Sequence, residues 1–201
     1  MSGEIIKSFA APYSYPTGLT FDGKCLWVAS YDSKKIYQID LDGKPIKEFN
    51  APTYGTGAGP VGLAFDGKHL WHNDDIPKIY QLDLDGKIIK SFAGGAFGIG
   101  FDGKYLWSVP YGGGNINQLG LDGKIIKGFA NPVSTGIGIT HDGKYLWITG
   151  IFDGKIYQID LDGKIVKGFA APTSAAEGLT FDGKYLWYAN DYDNKIYQIA
   201  I

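Results

Sequence analysis

Short apolar runs recur along the whole chain, each bounded by turn-forming residues. Leu26-Trp27-Val28-Ala29 and Ile36-Tyr37-Gln38-Ile39 are two such runs, and Ile46-Lys47-Glu48-Phe49 follows the next turn. No stretch keeps apolar residues at helical spacing long enough to compete with a strand reading. The boundaries are Asp-Gly pairs, two per unit, as at Asp22-Gly23 and Asp42-Gly43. Asp-Gly between apolar runs is a strong hairpin signal, and the type I′ turn it predicts places both central residues at positive φ.

The pattern is periodic. Trp27, Trp71, Trp107, Trp147 and Trp187 lie 44, 36, 40 and 40 residues apart. Gly18-Leu19-Thr20-Phe21-Asp22-Gly23-Lys24 precedes the first and Gly178-Leu179-Thr180-Phe181-Asp182-Gly183-Lys184 the last. Ile36-Tyr37-Gln38 recurs at Ile79, Ile156 and Ile196, and as Ile116-Asn117-Gln118 in the third unit, and Leu-Asp-Gly-Lys begins at Leu41, Leu84, Leu121 and Leu161. Such a period marks stacked supersecondary units, and the strand chemistry selects four-stranded blades over a helical solenoid. Each unit reads as strand A (Gly-Leu-Thr-Phe), B (around Trp), C (around Tyr-Gln) and D (Ile-Ile-Lys-Ser-Phe). The prediction is an all-β, five-bladed β-propeller in one domain over residues 1–201.

The ends predict how the ring closes. The chain stops at Ile201, after strand C of the fifth unit, while Gly3-Glu4-Ile5-Ile6-Lys7-Ser8-Phe9-Ala10 repeats Gly86-Lys87-Ile88-Ile89-Lys90-Ser91-Phe92-Ala93. Residues 4–10 are therefore expected to pair with residues 195–200 and leave no loose edge at the seam.

Composition narrows the function classes. The chain has 201 residues and a net charge of −2; all 19 basic residues are Lys, and 18 of the 21 acidic residues are Asp. Without Arg or a basic patch, a nucleic-acid surface is not expected. No apolar run approaches the roughly 18 residues of a membrane span. Met1-Ser2-Gly3-Glu4 lacks the basic and apolar regions of a signal peptide. A soluble, cytoplasmic monomer without membrane or nucleic-acid partners is expected. Cys25 has no partner for an internal disulfide and reads as a tolerated substitution where other units carry Tyr or His.

Neither a metal nor another cofactor is expected. Asp40-Leu41-Asp42-Gly43 and its copies at Asp83 and Asp160 begin like a calcium loop, but lack the third carboxylate and the late Glu. His69 and His72 stand three apart on a strand, hence on opposite faces, and His141 takes a Phe position. The five Trp read as packing between blades, and the strand-C Gln residues as internal hydrogen-bonding groups. Thr20, Thr140 and Thr180 read as strand-A residues near the channel, replaced by Ala64 and Gly100 in the other units.

What varies among the copies is the D–A and B–C loops, which an up-and-down blade places on one face. Loops on a rigid scaffold are where binding residues concentrate. Tyr15, Tyr31, Asp32, Tyr54, Asn73, Asp74, Tyr111, Phe152, Glu177, Asp191 and Tyr192 are accordingly the candidate ligand residues, expected to converge on one rim. Aromatic faces beside carboxylates and amides suit a small molecule, a glycan or a peptide. The long link at residues 53–60 and the short one at 93–97 imply one asymmetric groove.

Gly138-Ile139-Thr140-His141-Asp142-Gly143-Lys144-Tyr145-Leu146-Trp147, followed by Ile156-Tyr157-Gln158-Ile159-Asp160, resembles repeats of the glutamine cyclotransferase family. It is similar, more loosely, to NHL-like and gluconolactonase-like propeller repeats. The resemblance spans all five units and implies five blades and conversion of N-terminal glutamine to pyroglutamate. Of the family's two site phrases, the Gly-Glu-Gly-Leu-Thr phrase corresponds to Ala176-Glu177-Gly178-Leu179-Thr180, which makes Glu177 the candidate catalytic residue. The other, Phe-Thr-Gln-Gly-Leu, corresponds to Tyr15-Pro16-Thr17-Gly18-Leu19 and has lost its Gln. Three readings stand: a non-catalytic binding or scaffold propeller, a cyclotransferase-like enzyme, and an engineered or recently amplified repeat scaffold without a ligand.

Overall fold

A computed structural model describes residues 3–55, 57–76, 78–94, 97–110, 112–133, 136–173 and 177–201. Its twenty strands form five four-stranded antiparallel sheets, the blades of a propeller ring. In the first blade strands A to D are Pro16–Phe21, Leu26–Ser30, Lys35–Ile39 and Pro45–Asn50. In the fifth, A to C are Gly178–Phe181, Leu186–Asn190 and Lys195–Ile199, and strand D is the N-terminal Ile5–Ala10. That strand pairs antiparallel with strand C, Phe9 opposite Ile196 and Ala10 opposite Lys195. The closure read from the repeat is the one observed.

The core lies between blades. Each Trp is fully buried and packs on the next blade: Trp27 against Leu63, Leu70 and Leu82, and Trp187 against Leu19, Leu26 and Ile39. A strand-D phenylalanine tilts against every one, at 5.9 Å for Trp27–Phe49 and 6.1 Å for Trp187–Phe9.

The A–B turn differs from the type I′ expectation. Of Asp22 and Gly23 only the glycine takes positive φ, at 95°. Asp22 serves through its side chain. Its Oδ1 accepts the N–H groups of Lys24 and Cys25, and its Oδ2 accepts Trp27 Nε1 at 2.8 Å and Gln38 Nε2 at 2.9 Å. The same bonds recur around Asp66, Asp102 and Asp142. At the C–D turn Asp40 Oδ1 is occupied by the N–H groups of Asp42 and Lys44, which gives the calcium-like phrase a turn-closing role.

Strand A lines the channel, and one position on it is always glycine: Gly18, Gly62, Gly98, Gly138 and Gly178. A β-carbon there would meet the next blade's backbone, 1.7 Å from Ile137 O at Gly98 and 2.5 Å from Thr17 O at Gly178. Only glycine permits this approach. The glycine ring leaves a void of about 10 Å³ and separates two larger cavities, one toward each face.

Candidate functional site

The upper cavity, about 570 Å³, opens on the face of the D–A and B–C loops. That volume falls within the range of small-molecule sites. Its collar is the residue before each ring glycine: Thr17, Val61, Phe97, Ile137 and Glu177. One register position thus supplies three apolar side chains, a threonine that donates to Pro60 O at 2.7 Å, and a single carboxyl. Burial in this collar, with Asp191 adding repulsion, pushes Glu177 up to about 8. Its backbone is fixed by the Glu177 N–H bond to Ala189 O at 3.1 Å.

The loops build the rim above the collar. Tyr15 holds a left-handed conformation, φ 57°, uncommon for a non-glycine residue. Two bonds fix it: its N–H donates to Asn194 Oδ1 at 2.8 Å, and its carbonyl accepts Tyr31 N–H at 3.0 Å. The Tyr15 and Tyr31 rings meet at 5.7 Å with a tilt of 51°. Asp191 stands beside Tyr15, and burial together with that carboxylate raises the Tyr15 phenol. Asp191 is itself raised by burial, and its Oδ1 is buried without a partner among the described residues. Tyr31 OH donates to Asp75 Oδ2 at 2.8 Å, while Asp75 Oδ1 accepts Gly59 N–H and so anchors the long D–A link. Ile151 and Phe152 complete an apolar wall opposite. Among the described residues no lysine lines the cavity.

Of the residues expected on the rim, Tyr15, Tyr31, Phe152 and Glu177 line this cavity, and Asp191 stands behind Tyr15 and Glu177. Asp32 lies to the side, accepting Ser14 Oγ. Tyr54 is exposed beneath Lys78, whose ammonium lies 4.9 Å from its ring, and Tyr192 is 85% exposed. Asn73 and Asp74 are not on the rim. They end strand B of the second blade (Leu70–Asp74) and are fully buried, Asp74 Oδ2 holding Tyr54 N–H at 2.6 Å. Tyr111 lies outside the described residues. Asp75 and the collar residues Val61, Phe97 and Ile137 were missed. Reading the five copies at the position before the strand-A glycine would have found the collar.

No family model matches the chain, and no curated protein matches it by sequence. Solved structures do share its fold. The glutaminyl cyclase of Myxococcus xanthus aligns with a TM-score of 0.84 at 14% identity, covering 98% of this chain and 95% of that one. A virginiamycin B lyase from Staphylococcus aureus aligns at 0.58 and 19% identity, covering 97% and 98%. A chain of a nidogen/laminin complex aligns at 0.63 and 18% identity, covering 89% and 73%. At these identities the likeness is one of fold.

Proposed function

We propose that the chain is a single-site binding propeller whose ligand, a small molecule or the end of a peptide, presents an amine beside an apolar body. The carrying observation is the lone collar carboxyl, Glu177, set among Val61, Phe97 and Ile137 under a Tyr15–Tyr31 rim. In so apolar a setting the carboxyl holds its proton near neutrality, and an ammonium supplies the charge that lets it ionise. Phe97, Phe152 and Ile151 accept the apolar body, and the glycine ring sets the depth. Titration with arylalkylamines, N-terminally free peptides and neutral glycans at pH 7, where the amines carry their charge, tests this. The amine-bearing ligands are expected to bind at one per chain, and Glu177→Gln to weaken them about tenfold to hundredfold. Preference for neutral glycans, with Glu177→Gln silent, would overturn the reading.

A second reading is favoured by the Ala176-Glu177-Gly178-Leu179-Thr180 phrase and the fold shared with a glutaminyl cyclase. Here the ligand is an N-terminal glutaminyl peptide. Its α-amine nitrogen attacks the side-chain amide carbon, a ring C–N bond forms, the C–NH2 bond breaks and ammonia leaves. Glu177 would take the proton from the attacking amine and return it to the leaving nitrogen, a role suited to a carboxyl that titrates near neutrality. Ammonia release from such a peptide, lost in Glu177→Gln, supports it; binding without release leaves the binding module alone.

A further inference from the structure

Among the described residues four aromatic side chains line the upper cavity: Tyr15 and Tyr31 from the first blade, Phe97 from the third and Phe152 from the fourth. In a ring of five, blades three and four stand opposite blade one, so the phenylalanines and the tyrosines lie on opposite sides of the axis. The two tyrosine rings meet at 5.7 Å with a tilt of 51° and form a V. Glu177 on the fifth blade and Asp75 on the second flank that V from either side.

Aromatic faces attract a cation through the ring quadrupole. Tyr31 already holds one: Lys34 Nζ lies 3.9 Å from its ring centroid, approaching from outside the lining of the cavity. Tyr31 OH donates to Asp75 Oδ2 at 2.8 Å, and a phenol bonded to a carboxylate gains electron density in its ring. The kind of cation follows from the acceptors. A primary ammonium brings three N–H donors, and each is costly to bury without a partner. Thr17 is buried and turned to Pro60 O, and both oxygens of Asp75 already accept a bond, Oδ1 from Gly59 N–H and Oδ2 from Tyr31 OH. Among the described lining side chains this leaves the Glu177 carboxyl. Methyl groups in place of the N–H bonds remove the need for acceptors. They also spread the charge over a surface that rings and aliphatic side chains can cover.

We propose, resting on the amine-binding reading above, that the upper cavity selects a fully methylated ammonium, seated in the V of Tyr15 and Tyr31 beside Glu177. Phe97 and Phe152 cover the remainder of the ligand. A free quaternary amine of the choline class and a trimethylated lysine side chain present this same group.

The test compares three probes on the full chain at pH 7. Choline carries charge and methyl groups, ethanolamine keeps the charge without the methyl groups, and 3,3-dimethylbutan-1-ol keeps the shape without the charge. Calorimetry is expected to show one choline per chain, bound about tenfold or more tighter than either of the other two. Tyr31→Leu should lose the preference for choline over the neutral alcohol. Tyr31→Phe should keep most of it, because the ring and the Tyr31 N–H bond to Tyr15 O remain. The wild-type comparison decides the proposal even if Tyr31→Leu fails to fold. Trimethyllysine and lysine versions of one short peptide, run alongside, separate the sources: a methylated peptide that binds tighter than choline points to a protein side chain, the reverse to a free amine. Ethanolamine binding as tightly as choline, and the lysine peptide as tightly as its methylated form, overturns the methyl selectivity and leaves the amine reading standing. The neutral alcohol binding as tightly as choline, or no binding by any probe or peptide, overturns both.

Discussion

At the residue scale, Glu177 is where chemistry and stability meet. Its carboxyl is raised to about 8 in the folded chain, against an ordinary value near 4.3 when unfolded. The folded state therefore binds the extra proton between these values, and this group's contribution to stability falls as pH rises through that window. Above it, the ionised carboxyl sits in an apolar collar without a lysine lining the cavity. Glu177→Gln removes that cost. The variant is expected to match the wild type near pH 4 and to be more stable by a few kcal/mol at pH 9, read from denaturant unfolding at both pH values. A wild type at least as stable as the variant at pH 9 would show that a neighbour neutralises the charge. The repeat alignment exposes Glu177 as the one acidic copy at its register position. Asn73 and Asp74 read as loop residues, by contrast, because polar residues at a strand end look like a turn. Asp74 is buried holding the long D–A link through Tyr54 N–H, and Asn73 reaches Phe97 O of the neighbouring blade, tertiary bonds that local pattern does not encode.

At the element scale, the blade is organised by an aspartate that ties three strands together. Asp142 begins the A–B turn, accepts Trp147 Nε1 from strand B at 2.7 Å and Gln158 Nε2 from strand C at 3.2 Å, and caps two turn N–H groups. Burial works to raise Asp142, but the N–H groups of Tyr145, Trp147, Lys144 and Gln158 outweigh it and hold the carboxyl below its usual range. Asp22, Asp66 and Asp102 are held low in the same way. These carboxylates contribute stability above the unfolded carboxylate range and lose it as pH falls through their lowered values. Cooperative acid unfolding is thus expected below about pH 4, followed by tryptophan fluorescence. Asp142→Ala strands a buried indole N–H and an amide, and is expected to cost about 2–4 kcal/mol in denaturant unfolding. The Asp-Gly pairs announced these turns in the sequence, but for another reason than the one found. The aspartate is kept for its side-chain bonds, and only the glycine for its φ.

At the scale of the whole molecule, the five-blade ring was legible because every unit repeats the same contacts. The channel was less legible, since the glycine ring depends on strands from different blades meeting backbone to backbone. Closure shows how far the repetition extends. Gly3 has φ 89° and packs on Phe169, as Gly43 packs on Phe9 and Gly86 on Phe49. Its N–H bonds Ala200 O at 2.8 Å, and Ala200 N–H bonds Glu4 O at 2.9 Å. The fifth blade thus has a C–D turn whose backbone bonds are in place, although its covalent link is missing and Ala200 stands where Asp40 supplies its side-chain bonds in the first blade. Phe9 and Lys7 lie on Trp187 as Phe49 and Lys47 lie on Trp27. If packing carries the seam, Phe9→Ala should cost as much as Phe129→Ala within the third blade, about 2–3 kcal/mol for these partly buried rings. Removing residues 1–11 goes further. It strips strand C of the fifth blade and uncovers Trp187, and the melting temperature is expected to drop sharply with loss of a single cooperative transition. An unchanged melt after that deletion would mean that the ring does not depend on its N-terminal strand, and that the seam is held by contacts of strands A to C alone.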